Sequence, residues 1–257
     1  MEVSIIINNY KTRGLLKQCL KGIYANPPAV EFEVVVVDNN SGDGSVDLVR
    51  DMFPQVKLIA SDQNLGHHKG NNLGINNSTG KYILILNTDI AIMDDAVDKM
   101  YRFMEEHPEA ALVGPKLKNP DGSVQMSCMR FPELLTPFYR RTFLGKSKSA
   151  QEELKKYLME DFDHNSTRTV DWILGACEMV RREAIEQVGG MDEDLFLYFG
   201  DVAWCKKFWL AGRPVYYFAD CEIIHYHKRE SAESGIRSKV FWIHIIDWIK
   251  YLLKYYK

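Results

Sequence analysis

Residues 32–45 read FEVVVVDNNSGDGS, a β-branched apolar run that stops at Asp38 and passes into a turn of small polar residues. A strand that is apolar throughout has both faces buried, which is typical of a parallel sheet covered by helices on two sides. Further apolar runs of this kind occur in the first 115 residues. They lie at Val3–Ile7, Val56–Ile59, Tyr82–Leu86 and Ala111–Val113.

Helical patterns separate these runs. They lie near Thr12–Tyr24, Ser45–Met52, Lys69–Asn76 and Asp94–Glu106. The alternation predicts an α/β fold of the doubly wound type with a mostly parallel sheet, in which ligands bind at the carboxyl ends of the strands. The alternation fades from about Asp121, so we expect one domain with a specialised C-terminal half.

Composition and charge exclude several classes of protein. The 257 residues are 46% hydrophobic and 26% charged, which is ordinary for a globular domain. A net charge of -3 and a pI of about 6.2 give no field that attracts polyanions, so we expect no nucleic acid partner. The five cysteines are scattered without metal-binding spacing, which favours reduced thiols. The sequence shows neither a signal peptide nor an apolar run of about 18 residues, so we expect a cytoplasmic protein.

Polar residues stand where two of the apolar strands stop. Asp38 ends the second strand, where its carboxylate can accept hydrogen bonds from a base or a ribose; the alternative is a turn that only caps the next helix. The fourth strand ends in Asn87-Thr88-Asp89, whose oxygens can converge on Mn²⁺ or Mg²⁺. The alternative for this short segment is an ordinary Asx turn.

The segment Asn64–Asn72 reads NLGHHKGNN and opens a helix. Its glycines allow the backbone to approach a ligand, and the helix N-terminus together with Lys69 favours an anion. The adjacent His67 and His68 point apart at the start of a helix, so we expect them to be structural or to face the substrate.

Acidic and histidine residues in the C-terminal half are candidates for catalysis. Asp201 follows the aromatic run Phe196–Phe199, and a carboxylate beside apolar groups can have its pKa raised to suit a general base. An acidic loop that caps the next helix is the alternative. His225 and His227 alternate out of a strand onto one face, where they could ligate a metal or contact phosphate; a structural role is the alternative.

Taken in this order, these residues resemble the family 2 inverting glycosyltransferases of the GT-A fold, in particular the rhamnosyltransferase-like branch. The matching stretches are Val3–Tyr10, Val37–Ser45, Asn64–Ile75, Tyr82–Asp89, Asp171–Arg182, Gly189–Gly212 and Ile224–Ser231. The resemblance implies a GT-A domain over residues 1–235, with a nucleotide-binding half at 1–115 and an acceptor half at 116–235. It also implies metal-dependent transfer of a sugar such as rhamnose from a dTDP- or UDP-sugar to a saccharide acceptor that is often lipid-linked, in cell-surface polysaccharide assembly.

The resemblance assigns roles to individual residues. The residues implied for the nucleobase and ribose pocket are Asn9, Tyr10, Asp38 and Ser41. Those implied to flank the nucleotide are Asn64 and Lys69. The segment Asn87-Thr88-Asp89 stands at the position of the DxD-type motif, with Asp89 as metal ligand and Asn87 near the sugar or ribose. His225 would complete the metal and diphosphate site, with His227 as a second candidate. The segment under the donor sugar and acceptor would include Trp172, Gly175 and Ala176.

Asp201 matches the catalytic base of the family, but its neighbours depart from the pattern. The family usually has Glu-Asp-Val-Asp where this chain has Gly200-Asp201-Val202-Ala203. Either the acceptor site has diverged or activity is reduced, so a catalytically impaired nucleotide-sugar binding protein is an alternative. A nucleotidyltransferase is a second alternative, but the residues after the first strand, Asn8–Lys11, do not supply its glycine-rich loop.

Residues 236–257 are predicted to contain an amphipathic helix that begins at Ser238. One stripe at helical spacing is polar, and we expect it to face water. It contains Lys239, His244, Asp247, Lys250, Lys254 and Lys257. The opposite face is apolar and rich in tryptophan and phenylalanine, which favours a peripheral helix at the inner face of the cell membrane. Docking on the protein body or on a second subunit of a homodimer is the alternative.

Overall fold

The structure is a computed structural model that describes residues 1–93, 95–226 and 238–256. The first part of the chain alternates between strands and helices, as predicted. Its elements are β1 (Val3–Asn9), α1 (Arg13–Ala25), β2 (Phe32–Asp38), α2 (Ser45–Met52), β3 (Lys57–Ala60), α3 (His67–Asn76), β4 (Tyr82–Leu86), β5 (Ile90–Ala91), α4 (Ala96–Glu106) and β6 (Leu112–Lys118).

The second part contains shorter strands and the remaining helices. Its elements are β7 (Cys128–Met129), α5 (Thr136–Arg141), a 3₁₀ helix (Phe143–Lys146), α6 (Lys148–Tyr157), β8 (Arg168–Thr169), β9 (Trp172–Ile173), β10 (Cys177–Arg181), α7 (Arg182–Val188), α8 (Gly200–Leu210), β11 (Val215–His225) and α9 (Lys239–Tyr255). The long strand β11 pairs with β6 with a register irregularity between Phe218 and Glu222.

Within the described residues, a nine-stranded sheet runs in the order β3-β2-β1-β4-β10-β6-β11-β5, and β8 pairs with β11. The strands β3, β2, β1 and β4 are parallel, and β6 is parallel to β11. Only β10 and the short β5 and β8 run against their neighbours. The predicted mostly parallel α/β sheet is therefore confirmed. The sequence analysis did not predict β10, which is inserted between β4 and β6, or the short strands β5 and β8.

Helices cover both faces of the sheet. On β1, Val3, Ile5 and Ile7 point to the face covered by α1, α2 and α4, whereas Ile6 points to the face covered by α3, α7, α8 and α9. All four side chains are fully buried. This arrangement explains why the strands carry apolar residues without alternation. The five cysteines are buried free thiols, as expected from their scatter.

Two glycines let α3 lie close against β1. A Cβ built on Gly74 would lie 2.4 Å from Ile6 Cγ2, and one on Gly70 would lie 2.5 Å from Asn8 Nδ2. Because any larger residue would push the helix outward, this contact fixes α3 directly over β1. The N-terminus of α3 therefore meets the carboxyl ends of β1 and β2, where polar residues cluster.

The helix predicted at the C-terminus is present as α9, but two residues of its predicted water-facing stripe are not exposed. Lys239, Lys250 and Lys254 are exposed as predicted, and Lys257 lies outside the described residues. His244 and Asp247 are buried against the protein body together with Trp248 and Tyr251. The Asp247 carboxylate accepts hydrogen bonds from the backbone N–H groups of residues 196, 197 and 198 at 3.1, 2.9 and 3.0 Å. Helical spacing alone cannot reveal that a backbone segment elsewhere in the chain needs this carboxylate.

The solvent-facing side of α9 carries both lysines and apolar residues, because Lys239, Lys250 and Lys254 are exposed. Lys254 also pairs with Asp192 at 2.8 Å, and Lys250 donates to the backbone oxygen of Asp194 at 2.6 Å. The exposed apolar residues form what we call the outer stripe. It consists of Trp242, Ile246, Ile249, Leu253 and Tyr256. Among the described residues, no helix combines the length and apolar character needed to cross a bilayer.

Candidate active site

A buried polar cluster lies at the carboxyl ends of β1 and β2. Asn9 Nδ2 donates to Asp38 Oδ1 at 2.9 Å and to Ser41 Oγ at 3.0 Å. The second carboxylate oxygen of Asp38 accepts the backbone N–H of Ser41 at 3.0 Å. Because these polar groups are hydrogen-bonded to one another, they hold the carboxyl ends of the two strands, which we call the rim, in a rigid arrangement. Asn9, Asp38 and Ser41, which the sequence assigned to one pocket, therefore do lie together.

This cluster is linked to the end of β4 through two hydroxyl groups. Thr12 Oγ1 donates to Asn9 Oδ1 at 2.7 Å and lies 3.0 Å from Thr88 Oγ1. Asn9 belongs to the group at β1 and β2, whereas Thr88 belongs to the Asn87–Asp89 segment. The predicted nucleoside and metal segments are thus joined by one short hydrogen-bonded path, and Thr12 is a member that the sequence did not indicate.

The loop before α3 lies against the same cluster. Asn39, a second residue missed by sequence reasoning, donates to the Gly66 oxygen at 2.9 Å and accepts the Leu65 N–H at 2.7 Å. Tyr10 is 43% exposed, and its pKa is lowered, chiefly by a hydrogen bond from the Asn64 side chain. Tyr10 and Asn64 therefore lie side by side at the rim, as expected if both contact one ligand.

Lys69 is paired with Glu193. Its ammonium nitrogen lies 3.9 Å from a carboxylate oxygen of Glu193, and both side chains are about half exposed. An exposed pair of this kind contributes little to stability, so the lysine remains able to move. Its predicted place beside a nucleotide stays a prediction.

Asp89 and His225 face each other across the ends of β4 and β11. Asp89 Oδ2 lies 3.4 Å from His225 Nε2, and His225 is buried. Gln125 donates through Nε2 to the His225 oxygen at 2.9 Å and to Asn119 Oδ1 at 2.7 Å, which leaves Gln125 Oε1 to accept from His225 Nδ1 at 2.9 Å. This hydrogen-bond pattern assigns the proton of a neutral imidazole to Nδ1.

In that neutral form the lone pair of His225 Nε2 faces the carboxylate of Asp89, an arrangement that a cation between them would stabilise. Gln125 is the kind of partner that orients a metal-ligating imidazole. One carboxylate and one imidazole fit a divalent cation whose other ligands are phosphate oxygens and water. The described residues contain no group of three or more His, Cys, Asp and Glu ligands. His227 lies outside the described residues.

Asp201 lies in the first turn of α8, where two backbone N–H groups bind its carboxylate. Gly175 N donates to Oδ2 at 3.2 Å, and Val202 N donates to Oδ1 at 2.9 Å. Burial raises the pKa of Asp201, although these hydrogen bonds oppose the shift. A carboxylate that is fixed in direction and more basic than usual is suited to accepting a proton.

The segment before β10 connects Asp201 to the Asp89 region. Ala176 O accepts the backbone N–H of Asn87 at 2.9 Å, next to Gly175, which binds Asp201. Trp172 anchors the start of this segment through its indole N–H, which donates to the Arg130 oxygen at 2.8 Å. The predicted acceptor-side residues Trp172, Gly175 and Ala176 therefore bridge the candidate base and the candidate metal motif.

Glu178 is a buried acid that sequence reasoning missed. It lies on β10 with no exposed surface, and within the described residues neither of its carboxylate oxygens has a hydrogen-bond partner. Burial raises the pKa of Glu178 well above its usual range, and the charge of Asp201 adds to this effect. Because an isolated carboxylate is very costly to bury, burial favours the protonated form of Glu178. Its position inside an apolar strand was the signal available in the sequence.

Residues 4–189 match the family model described as glycosyl transferase family 2. The chain belongs to this family. It is 30% identical over 217 residues to N-acetylglucosaminyl-diphospho-decaprenol L-rhamnosyltransferase of Mycobacterium tuberculosis, covering 77% of this chain and 67% of the relative. It is 24% identical over 260 residues to the rhamnosyltransferase WbbL of Escherichia coli, covering 98% of this chain and 93% of that one.

Family 2 membership confirms that the chain is a sugar-transferring enzyme and removes the nucleotidyltransferase alternative. The fold is likewise similar to a solved structure, the mannosyltransferase PcManGT of Pyrobaculum calidifontis in complex with GDP-Man and Mn²⁺. The TM-score is 0.62 at 18% sequence identity, with coverage of 99% of this chain and 70% of that chain. This likeness confirms the predicted fold class.

Proposed function

We propose that this family 2 glycosyltransferase transfers rhamnose, with inversion, from dTDP- or UDP-rhamnose to a lipid-linked saccharide in the assembly of a cell-surface polysaccharide. The names of the mycobacterial and E. coli relatives support the sugar, and the mycobacterial name also supports a lipid-linked acceptor. The observation that carries the proposal is the placement of Asp201. Burial raises the pKa of its carboxylate, and the short segment Gly175–Ala176 connects Asp201 to Asn87. Asn87 lies two residues before Asp89, which faces His225.

Asp201 acts on the acceptor in this proposal. Its carboxylate takes the proton of the acceptor hydroxyl while that oxygen attacks the anomeric carbon from the side opposite the diphosphate. The bond between the anomeric carbon and the diphosphate oxygen breaks, so the anomeric configuration is inverted. Gly175 N–H keeps the carboxylate directed at the acceptor.

The donor half, residues 1–115, binds the nucleotide in this proposal, and residues 116–235 bind the acceptor. Asp89 and His225 hold a divalent cation, Mn²⁺ or Mg²⁺, which stabilises the negative charge of the leaving diphosphate when it is bound. Asn87 and Thr88 contact the sugar or ribose. The nucleoside would be held by Asn9, Tyr10, Asp38 and Ser41, with Asn64 and Lys69 at its edge.

The outer stripe of α9 supports a location at the inner face of the cell membrane. Its members are exposed and apolar, and Leu253 is 83% exposed. The only acid in α9, Asp247, is buried, so no carboxylate on the exposed side of this helix opposes an anionic lipid surface. A helix with these features binds in the membrane interface without crossing it.

The decisive experiment is an acceptor-dependent assay of nucleoside diphosphate release. The donors are dTDP-rhamnose, UDP-rhamnose and UDP-N-acetylglucosamine, each with a polyprenyl-diphosphate-linked N-acetylglucosamine acceptor and Mn²⁺. We expect release with a rhamnosyl donor only when the acceptor is present, and an inverted anomeric centre in the product. Tight donor binding without turnover would support the catalytically impaired binding protein, the candidate favoured by Gly200 and Ala203.

A further inference from the structure

His68, the second residue of α3, is buried with 2% of its surface exposed. Its Nδ1 lies 2.6 Å from the backbone oxygen of Leu195. Because a carbonyl oxygen only accepts hydrogen bonds, Nδ1 carries the proton. Burial lowers the pKa of His68, so the ring is neutral and its Nε2 is unprotonated.

The far side of this ring fills the space beside Gly200. A Cβ built on Gly200 would lie 2.0 Å from His68 Nε2 and 2.1 Å from Cδ2, closer than real Cβ atoms approach another atom. Gly200 is not among the glycines in the left-handed backbone region, so its backbone angles do not require a glycine. The imidazole of His68 is therefore the reason that position 200 has no side chain.

The start of α3 holds the residues before Asp201 at several points. His67 N donates to the Phe196 oxygen at 2.7 Å, next to the bond between His68 and Leu195. A Cβ on Gly66 would lie 2.6 Å from the same Phe196 oxygen. The donor-side loop and the segment that carries the candidate base are thus one packed unit.

We propose that His68 is the positioning residue of Asp201, and that His68 and Gly200 form a matched pair in which the imidazole takes the place of a side chain at position 200. This inference rests on the proposed role of Asp201 as the base. The ring fixes the first turn of α8 through Gly200, and its N–H fixes residue 195, so the carboxylate stays aligned with the Gly175 N–H.

The matched pair is tested by a double-mutant cycle. G200A adds the methyl group that meets the ring, and H68N keeps an N–H donor near the Nδ1 position while it removes the rest of the ring. We expect each single variant to lower kcat by about 10-fold or more with an unchanged donor KM, because small misplacements of a catalytic group are costly. The double variant H68N/G200A should recover kcat to within about threefold of the parent, since each change removes the other's defect.

G22A is the matched control, because a Cβ on Gly22 meets nothing within 4 Å. We expect it to leave kcat unchanged and to raise the melting temperature slightly, because Gly22 lies inside α1 and alanine is a better helix former than glycine. The proposal is overturned if the double variant is no better than the worse single variant, or if the single variants lower only the melting temperature and keep the parent kcat. D201N separates the two ideas: if it retains turnover, the proposed base fails, whereas coupling between positions 68 and 200 in thermal unfolding would persist.

Discussion

His225 Nε2 faces Asp89 Oδ2 at 3.4 Å because two short strand pairings bring them together. Ile90 pairs with His225 in the antiparallel contact of β5 with β11, and Tyr226 N donates to the Asp89 oxygen at 2.9 Å. The sheet edge therefore sets the separation of these two side chains. Residues distant in sequence thus form the pair that is proposed to hold a cation.

Removing the carboxylate from this pair tests the predicted cation. In the Asp89→Ala variant, the affinity for a nucleoside diphosphate should no longer increase when Mn²⁺ is added, because the imidazole alone holds the ion weakly. Calorimetric titration with Mn²⁺ or with EDTA measures this difference. Asp121→Ala, in an exposed loop, is the control and should keep the Mn²⁺ effect. An Mn²⁺ effect of parental size in Asp89→Ala would contradict the assignment.

The Asp201→Asn substitution keeps the shape of the side chain and removes the proton acceptor. We expect kcat to fall by about 10²–10⁴-fold, the usual loss for a general base, with little change in nucleotide affinity. Single-turnover assays with the saccharide acceptor measure the rate. Asp51→Asn, on the exposed side of α2, should retain parental turnover. Near-parental turnover in Asp201→Asn would rule out its role as base.

The raised pKa of Asp201 predicts where activity is lost in acid. A protonated carboxyl cannot accept the acceptor proton, so kcat should fall as the pH drops through the raised pKa. This fall in kcat should occur at a higher pH than the pKa of an ordinary aspartate, which is about 3.9. Rates at saturating donor across the acidic range provide the profile, with Mn²⁺-nucleotide affinity measured in parallel. Full activity maintained down to about pH 4 would be inconsistent with a buried base.

Glu178 predicts that stability falls as the pH rises above the unfolded pKa of a glutamate. The folded-state pKa of Glu178 lies above the unfolded value, so its contribution to stability is complete below the unfolded pKa and is lost as the pH rises through the folded one. Glu178→Gln should reduce the decline in unfolding free energy between pH 5 and pH 8, as measured in urea. Glu186→Gln, an exposed acid, is the control. An identical decline in Glu178→Gln and the parent would contradict the prediction.

Charges placed on the outer stripe of α9 test its contact with lipid. The double variant Ile249→Glu/Leu253→Glu should keep its melting temperature but no longer sediment with phosphatidylglycerol vesicles, because carboxylates oppose both apolar burial and anionic lipid. Leu210→Glu alters a single exposed leucine on α8 and should still sediment. If the parent ignores the vesicles and the double variant instead splits a dimer, the stripe is a subunit interface.

The polar cluster around Asp38 could be predicted because parallel strands end at one edge, so polar residues that follow apolar runs must meet. The strand β10 could not be predicted, because its short run continues directly into α7 and contains a glutamate, which is unusual in a buried strand. His244 and Asp247 were assigned wrongly to the exposed side of α9 because amphipathic spacing does not tell which stripe meets the protein. The contact between His68 and Gly200 depends on how closely α3 approaches α8, and this distance cannot be predicted from the local sequence of either helix.

The three hydrogen bonds to Asp247 make the last helix part of the catalytic framework. They hold residues 196–198, which lead directly into the turn that carries Asp201. A chain shortened before Asp247 to improve expression leaves three amide protons without their acceptor. Inactivity of such a truncated protein would mimic damage to the base itself, although Asp201 is unchanged. A series of C-terminal deletions would thus wrongly assign a direct role in the reaction to residues of the last helix.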